Sequence, residues 1–241
     1  MKSLIFNSFL ICIVNTTCIY AQRIGFKHDW QNVIKKYNTL DCVEVSTTYY
    51  LFDSHTSTKH TDITKGNVSR KGKDVYQSID NMEYIVNESF MAMIDHDDKV
   101  IVFDRSLKGF SPLTPEINMD YLKEFIRNEK SSMISKTVKQ YEVTFEDQEI
   151  EKLVINFFPA TMLLQDITIY YAEHEDVDDE NKPVKVKQKL KIVFGTPMKI
   201  GNHFYTIENN PYFTFLKDKF AATAKYRNYE VIDNRINFSK K

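Results

Sequence analysis

The chain has 241 residues, with 32 basic and 33 acidic side chains, so its net charge is −1 at neutral pH. No basic face or arginine-rich run is present, and this balance excludes a general nucleic-acid-binding role. Hydrophobic residues make up 42% of the chain and charged residues 27%, as in most globular proteins. With only six glycines, six prolines and no linker or repeat, the chain is expected to form one domain.

The first 21 residues have the layout of a secretory signal peptide. Lys2 precedes a long apolar stretch that closes on Tyr20-Ala21. Cleavage after Ala21 would leave residues 22–241 as a single mature domain, exported across the inner membrane to the periplasm. One alternative is a membrane anchor, although the stretch is short for a spanning helix and broken by polar residues. The other is a lipoprotein, anchored through an acylated Cys18 after cleavage in front of that residue.

Cleavage after residue 21 leaves one cysteine in the mature chain. Cys12 and Cys18 would be removed and Cys42 would remain, so no intramolecular disulfide is expected. Cys42 lies where a predicted helix passes into a strand. We interpret it as a small buried hydrophobic residue rather than a nucleophile.

The first predicted elements are a helix and two strands. In the stretch 29–40 the apolar residues recur at helical spacing, and Asp29 is a plausible N-cap. Residues 43–52 alternate between apolar and polar side chains, which predicts a strand. A polar tract over 53–62 separates it from a second predicted strand over 63–71.

Residues 73–104 contain four short apolar runs and predict a β-meander. The runs are separated by Asp80-Asn81, Asn87-Glu88 and the stretch 95–98, and Asn and Asp tolerate the positive φ of tight turns. The run from Phe90 to Ile94 is apolar at every position. Both faces of this strand must therefore be covered by another element or by a ligand.

A helix is predicted midway along the chain. Thr114 and Pro115 form a typical helix start. The apolar side chains after this point fall on one side of the helix, which we expect to pack on the meander. They are Ile117, Tyr121, Leu122, Phe125 and Ile126.

The second half of the chain returns to strands. Alternating apolar residues predict strands over 141–145, 153–157, 167–171 and 186–194, with an acidic hairpin loop over 173–183. Two further short runs, 203–207 and 226–232, are also strand candidates. The expected fold is α+β: one large, curved antiparallel sheet of about 11 strands, an incomplete barrel, with an N-terminal and a mid-chain helix covering its concave face.

No catalytic, cofactor-binding or metal-binding motif is found in the sequence. His55 and His60 lie five residues apart in a polar loop, and His96 lies in a hairpin turn, so all three are interpreted as surface histidines. The acidic loop lacks the glycine and the spacing of an EF-hand. We expect a protein that is not an enzyme and that needs no cofactor and no metal.

Several stretches resemble the LolA/LolB-like family of periplasmic lipoprotein carriers. The segment 66–71 with Tyr76 is similar to the early strand pair of that family, and 82–104 to its meander. Residues 150–158 and 162–171 are similar to a later strand pair. The Ala-Gln end of the signal and the segment 225–233 resemble Bacteroidetes-type secreted proteins.

The resemblance implies an incomplete β-barrel closed by helices, whose apolar concavity accepts lipoprotein acyl chains. The carriers use a strand arginine to hold the covering helix. Arg70 lies in a comparable strand, although the residues around it differ from those of the family.

The leading hypothesis is a monomeric periplasmic or cell-envelope protein that binds an apolar ligand, such as a lipid or a lipoprotein acyl chain. An envelope structural or interaction module with a fully packed interior is the alternative, and a hydrolase is a third. The residues expected to line the cavity are Phe90, Met91, Met93, Leu153, Ile155, Phe157, Ile167, Ile169, Tyr171, Leu190, Ile192 and Phe194, with Leu122, Phe125 and Ile126 as a lid.

Overall fold

The computed structural model describes residues 25–105, 123–146, 149–177, 183–201, 203–216 and 219–235. Helix α1 spans Phe26–Thr39. The strands are β1 Val43–Phe52, β2 Asp62–Lys71, β3 Asp74–Ile79, β4 Met82–Val86, β5 Phe90–Asp95, β6 Val100–Arg105, β7 Ile126–Met133, β8 Lys139–Phe145, β9 Ile150–Phe158, β10 Leu163–Tyr171, β11 His174–Val177, β12 Pro183–Val186, β13 Lys189–Phe194, β14 Met198–Lys199, β15 Phe213–Leu216, β16 Lys219–Ala222 and β17 Glu230–Asp233.

One large open sheet dominates the described residues, which confirms the predicted α+β class. Its strand order is β17-β6-β5-β4-β3-β2-β1-β13-β10-β9-β8-β7, with β14 paired to β1, so it has 13 strands rather than about 11. All pairs are antiparallel except β17 with β6, which run parallel. Two separate hairpins, β11-β12 and β15-β16, complete the strands.

Helix α1 begins three residues before the predicted start. Gly25 occupies the N-cap position without a side-chain cap, and the Glu129 carboxylate of β7 accepts a 2.6 Å hydrogen bond from the Phe26 amide instead. A carboxylate at this end of the helix also interacts favourably with the helix dipole. The prediction that Asp29 caps the helix is therefore wrong, and Asp29 lies buried in the first turn.

Cys42, after the end of α1, is exposed and not a buried hydrophobic residue, contrary to expectation. Its φ is 53°, and the Asp41 side chain accepts hydrogen bonds from the amides of Cys42 and of Gly72 in the β2-β3 turn. The chain turns sharply here to enter β1. This turn directs the Cys42 side chain away from the core.

The predicted meander is confirmed as β3 to β6, and its turns use the predicted residues. Asp80 has a φ of 51° at the first turn. The Asn87 side chain accepts hydrogen bonds from two amides of the second turn, and Asp95 does the same in the third. These side chains replace the backbone partners that a short connection cannot supply.

Alternation along the strands gives the large sheet two faces, each with its own core. The helix face, which α1 covers, carries Val45, Val68, Leu153 and Ile167 among others. The outer face of the meander carries a second core, which includes Ile85, Ile94 and Phe103. The segment 203–233 covers this second core with Tyr212, Phe213 and Phe220.

Several predicted elements differ in the structure. The lid residues Phe125 and Ile126 do not belong to an α-helix, because Phe125 ends a short 3-10 helix and Ile126 begins β7. Residues 106–122, including the third lid residue Leu122, lie outside the described residues. The predicted strand over 203–207 is not a strand, and that over 226–232 is reduced to β17. The predicted strand over 186–194 is divided between β12 and β13.

Candidate functional site

The nine predicted cavity residues of the second half are placed together on the helix face by the strand register. Six of them are buried in the core beneath α1: Leu153, Ile155, Phe157, Ile167, Ile169 and Ile192. The other three, Tyr171, Leu190 and Phe194, are half-buried at the margin of this core. The helix therefore already fills much of the region predicted as a ligand cavity.

The three predicted cavity residues of β5 do not share a face. Met91 and Met93 lie on the helix face, where Met91 packs against the core under α1. Phe90 lies on the outer face, with its ring 5.9 Å from that of Phe220 and 6.2 Å from that of Phe215. Neighbouring residues of a strand point to opposite sides, so Phe90 cannot line the same cavity as Met91.

The N-terminal half of α1 is fixed to β8 by a buried polar contact. Asp29 accepts a 2.7 Å hydrogen bond from the Lys139 ammonium and a 2.9 Å bond from the Tyr141 hydroxyl. Burial alone would raise the pKa of Asp29, but the hydrogen bonds and positive charge of Lys139 outweigh it and hold the pKa below its usual value. The carboxylate is therefore charged at neutral pH and anchors the helix to the sheet.

The C-terminal half of α1 contacts two other parts of the sheet. The Tyr37 hydroxyl accepts a 3.2 Å hydrogen bond from the Leu164 amide at the start of β10, and burial raises the pKa of Tyr37 to about 12. Arg70 of β2 donates a 3.3 Å hydrogen bond to the Asn38 side chain. An arginine of a sheet strand thus contacts the covering helix in this protein.

Two buried polar atoms on the helix face of the sheet have no hydrogen-bond partner in the described part of the chain. They are Trp30 Nε1 and Thr47 Oγ1. Each unpaired buried polar group costs about 1–3 kcal/mol. Trp30 Nε1 belongs to α1 itself, so this group would gain a partner if the helix face were opened to water or to a ligand.

Half-buried apolar side chains continue across the helix face beside the core. We call this set the apolar strip: Leu190 of β13, Leu51 and Tyr49 of β1, Ile79 of β3, Tyr84 of β4 and Met93 of β5. The register connects them, because Leu190 pairs with Leu51, and Tyr84 with Met93.

Small residues form the part of the strip that crosses β2. Thr64 is opposite Tyr49, and Gly66 is opposite Ile79. A Cβ at Gly66 would lie 2.7 Å from the Ser78 carbonyl oxygen, which explains why glycine occupies this position. The middle of the strip therefore consists of small residues on β2, and larger side chains lie on both sides of it, on β1 and β3.

A second polar cluster lies on the outer face of the meander, around Glu83. Its carboxylate accepts hydrogen bonds from the hydroxyls of Tyr76 at 2.5 Å and Tyr212 at 2.6 Å. His96 Nε2 lies 2.8 Å from this carboxylate and donates to it, and His96 Nδ1 forms a 2.9 Å hydrogen bond with the Tyr229 hydroxyl. The prediction that His96 is a surface histidine is wrong, because it links the meander to the C-terminal segment.

Burial and the hydrogen bonds to Glu83 raise the pKa of Tyr76 and of Tyr212 well above the usual range. Both hydroxyls therefore stay protonated and act as donors. The sequence contains no sign of this cluster, because its members follow no motif and 129 positions separate Glu83 from Tyr212. Its role here is to hold two segments of the fold together.

Within the described ranges, no helix is both long and apolar enough to cross a membrane. In the same ranges, no group of three or more His, Cys, Asp and Glu side chains is arranged to hold a metal ion. The polar clusters around Asp29 and Glu83 are instead satisfied by hydrogen bonds between protein side chains.

No protein-family model matches the sequence, and no curated protein matches it. Similar solved structures include an uncharacterized conserved protein from Thermus thermophilus, at 8% identity over 85% of this chain and 99% of its own, with a TM-score of 0.41. A LolA superfamily protein from Nitrosomonas europaea is 10% identical over 71% of this chain and 93% of its own, with a TM-score of 0.31.

The complex of MucA and MucB from Pseudomonas aeruginosa also contains a similar chain. It is 10% identical over 70% of this chain and 56% of its own, with a TM-score of 0.36. Likenesses at this level assign the protein neither a family nor an activity.

Proposed function

We propose that this protein is a non-enzymatic protein of the cell envelope that binds an apolar ligand, such as a lipid or a lipoprotein acyl chain, along the apolar strip. The observation that supports this most is the strip itself. Its side chains are half-buried in a continuous line beside the core that α1 covers. Exported carriers of acyl chains need such a surface, and the resemblance of the sequence to the LolA/LolB-like family is part of the same proposal.

The dimensions of the strip suit an elongated ligand. It crosses six neighbouring strands, from β13 to β5, and strands lie about 4.8 Å apart, so its length is about 24 Å. This length is comparable to that of an extended long acyl chain. Burying each methylene group contributes about 0.8 kcal/mol, so binding needs no charged recognition motif.

The six buried residues beneath α1 would join the site only if the helix moved. Its polar contacts with the sheet are those of Asp29 with β8, Tyr37 with β10, Asn38 with β2 and the Phe26 amide with β7. The apolar side chains of Phe26, Trp30 and Val33 would also have to leave the core. The unsatisfied Trp30 Nε1 of α1 lowers the cost of such a movement. A ligand that begins on the strip could therefore extend under the helix.

The proposed location is the periplasm, after removal of residues 1–21, with a lipid anchor at Cys18 as the alternative. The proposal rests on the sequence pattern of the N-terminal segment. N-terminal sequencing and mass measurement of the protein from its own host would test it. A mature chain that begins at Gln22 supports export as a soluble protein, and one that begins at an acylated Cys18 supports the anchor.

Ligand binding can be tested with delipidated protein and a fluorescent fatty-acid probe. Wild-type protein is expected to bind the probe saturably, and Leu190→Lys should weaken binding by at least about tenfold, because it places a charge on the strip. Val193→Lys is the matched control, since Val193 is half-buried in the same strand on the opposite face. It should change the affinity by less than about twofold.

Absence of saturable binding by the wild-type protein, or equal losses in both variants, would contradict a ligand site on the strip. Circular dichroism of each variant establishes that the fold is retained. Competition by lipoprotein acyl chains, compared with free fatty acids, then identifies the ligand class.

A second candidate function is an envelope interaction module without a ligand. The observation that favours it is the burial of six predicted cavity residues under α1, which makes much of the interior a packed core. Native mass spectrometry of protein from its own host separates the two functions. A co-purifying lipid supports the carrier, whereas a lipid-free protein that crosslinks to one envelope partner supports the module.

A further inference from the structure

The hairpin that joins β7 to β8 presents two adjacent apolar side chains to solvent. Met133 is 53% exposed and Ile134 is 50% exposed. Every residue from Arg127 to Thr137 is exposed, so the hairpin projects from the edge of the large sheet. A pair of large apolar side chains at such a tip is unusual, because single exposed apolar residues are the norm on soluble proteins.

The tip of the hairpin has a defined conformation. The Ile134 amide donates a 3.0 Å hydrogen bond to the Val138 carbonyl oxygen. The Ser135 hydroxyl accepts hydrogen bonds from the amides of Thr137 at 3.2 Å and Val138 at 3.1 Å, and the Val138 side chain is buried. Met133 and Ile134 are therefore held outward by an ordered turn.

The charges near the tip are positive. The stretch 130–139, KSSMISKTVK, contains three lysines and no acidic residue. Lys139 is already paired with Asp29, whereas Lys130 and Lys136 are exposed and form no ion pair among the described residues. Apolar side chains flanked by free lysines are suited to a surface that is anionic outside and apolar beneath.

The remainder of β7 is less suited to a protein partner that adds a strand. It is an edge strand, but Arg127, Glu129 and Lys130 place charged side chains along it. Charged side chains on an edge discourage pairing with another strand. The chemistry of the hairpin therefore favours a lipid surface over a β-strand of another protein.

We propose that the tip of the β7-β8 hairpin docks on an anionic lipid surface. Met133 and Ile134 enter the interfacial region of the bilayer, and Lys130 and Lys136 pair with phosphate headgroups. Docking is independent of the ligand proposed for the apolar strip, because it uses a different part of the molecule and needs no bound acyl chain.

Cosedimentation of the purified protein with vesicles tests the docking. The vesicles contain phosphatidylglycerol mixed with phosphatidylethanolamine, and pure phosphatidylcholine vesicles serve as the neutral reference. The protein is expected to bind the anionic vesicles, and added salt should weaken binding by screening the lysines.

The double variant Met133→Asp/Ile134→Asp is expected to lower the partition coefficient by at least about tenfold, because it removes the inserted groups and adds repulsive charge. Ile63→Asp is its control, since Ile63 is 45% exposed on the outer face of β2. Lys136→Glu should lower partitioning by at least about fivefold, the effect of one basic residue at an anionic surface. Lys65→Glu, at an exposed position of β2, is the control for charge.

The proposal is overturned if the wild-type protein binds anionic and neutral vesicles equally weakly, or if the hairpin variants bind as well as the two controls. Crosslinking from the tip to a protein, in the absence of vesicle binding, would also overturn it. The fatty-acid probe assay is run on the same hairpin variants. Retained probe binding together with lost vesicle binding separates this site from the apolar strip.

Discussion

Asp29 occupies the first turn of α1, where its residue type favours a capping role. Its carboxylate instead accepts hydrogen bonds from Lys139 and Tyr141 of β8. The capping function passes to Glu129, more than a hundred positions away in the sequence. At the scale of single residues, partners from distant strands decide what each polar side chain does.

Asp29→Asn is expected to lower the free energy of unfolding by about 2 kcal/mol at neutral pH, because it leaves Lys139 without its carboxylate in a partly buried site. Urea denaturation measures the change. Glu173→Gln removes an exposed partner of Lys185 and should leave the stability unchanged. Equal stability of Asp29→Asn and wild-type protein would show that this contact does not hold the helix.

The ion pair between Asp29 and Lys139 also predicts that the stability of the protein depends on pH. The pKa of Asp29 in the folded protein lies below the usual 3.8, so its stabilising effect is fully present above that value. It is lost as the pH falls through the lower folded pKa. The stability difference between wild type and Asp29→Asn should therefore be constant from neutral pH to about pH 5 and shrink below about pH 4. Urea midpoints over this range check the expectation, and a constant difference at all pH values would contradict it.

At the scale of elements, side chains of the C-terminal segment, among them Tyr212, Phe213 and Phe220, cover the outer face of the meander, a role that the sequence did not predict for them. The sequence predicts only two short strands in this segment, 203–207 and 226–232, so it contains no clear sign of this role. Its attachment depends on the outer core and on the hydrogen bonds that Tyr212 and Tyr229 make with Glu83 and His96.

Glu83→Gln should destabilise the attachment of this segment. The amide supplies one acceptor oxygen for the three donors that now share the carboxylate, and its NH2 group faces other donors. We expect a loss of about 2–3 kcal/mol in unfolding free energy and faster proteolysis within 203–235. Glu88→Gln, at an exposed position in the same meander, is the control. A Glu83→Gln protein as resistant to protease as this control would show that the cluster is not required.

At the scale of the whole molecule, two cores lie on opposite faces of one continuous sheet. The meander contributes to both, with Val75 and Val86 under the helix face and Ile85 and Phe103 on the outer face. Because the same strands support both cores, we expect residues 22–241 to unfold as one domain.

Two optical signals test whether the protein unfolds as a single cooperative unit. Trp30 is the only tryptophan and lies in the core under α1, so its fluorescence reports the helix face. Near-ultraviolet circular dichroism also includes the signal of the clustered tyrosines of the outer core, Tyr205, Tyr212 and Tyr226, which the fluorescence of Trp30 does not report. Coincident urea midpoints are expected for a single cooperative unit. Separate midpoints would show that the C-terminal layer unfolds independently of the helix face.

The sequence alone determined the features that depend on local chemistry. Alternation located most of the strands, the Asn and Asp residues located the turns of the meander, and helical spacing located α1. The register was also predictable in part: Leu153, Ile167 and Ile192 share a face as expected, because the period of a strand is two.

Only the tertiary structure decided what covers each face. The strand over 90–94 is apolar on both sides, so its sequence does not predict which element covers each side. In the structure Phe90 packs against Phe220, and Met91 packs against the core under α1. Likewise, the residues predicted to line a cavity are the same types that form a core, and α1 buries six of them. Burial depends on contacts between segments far apart in the chain, which local periodicity does not encode.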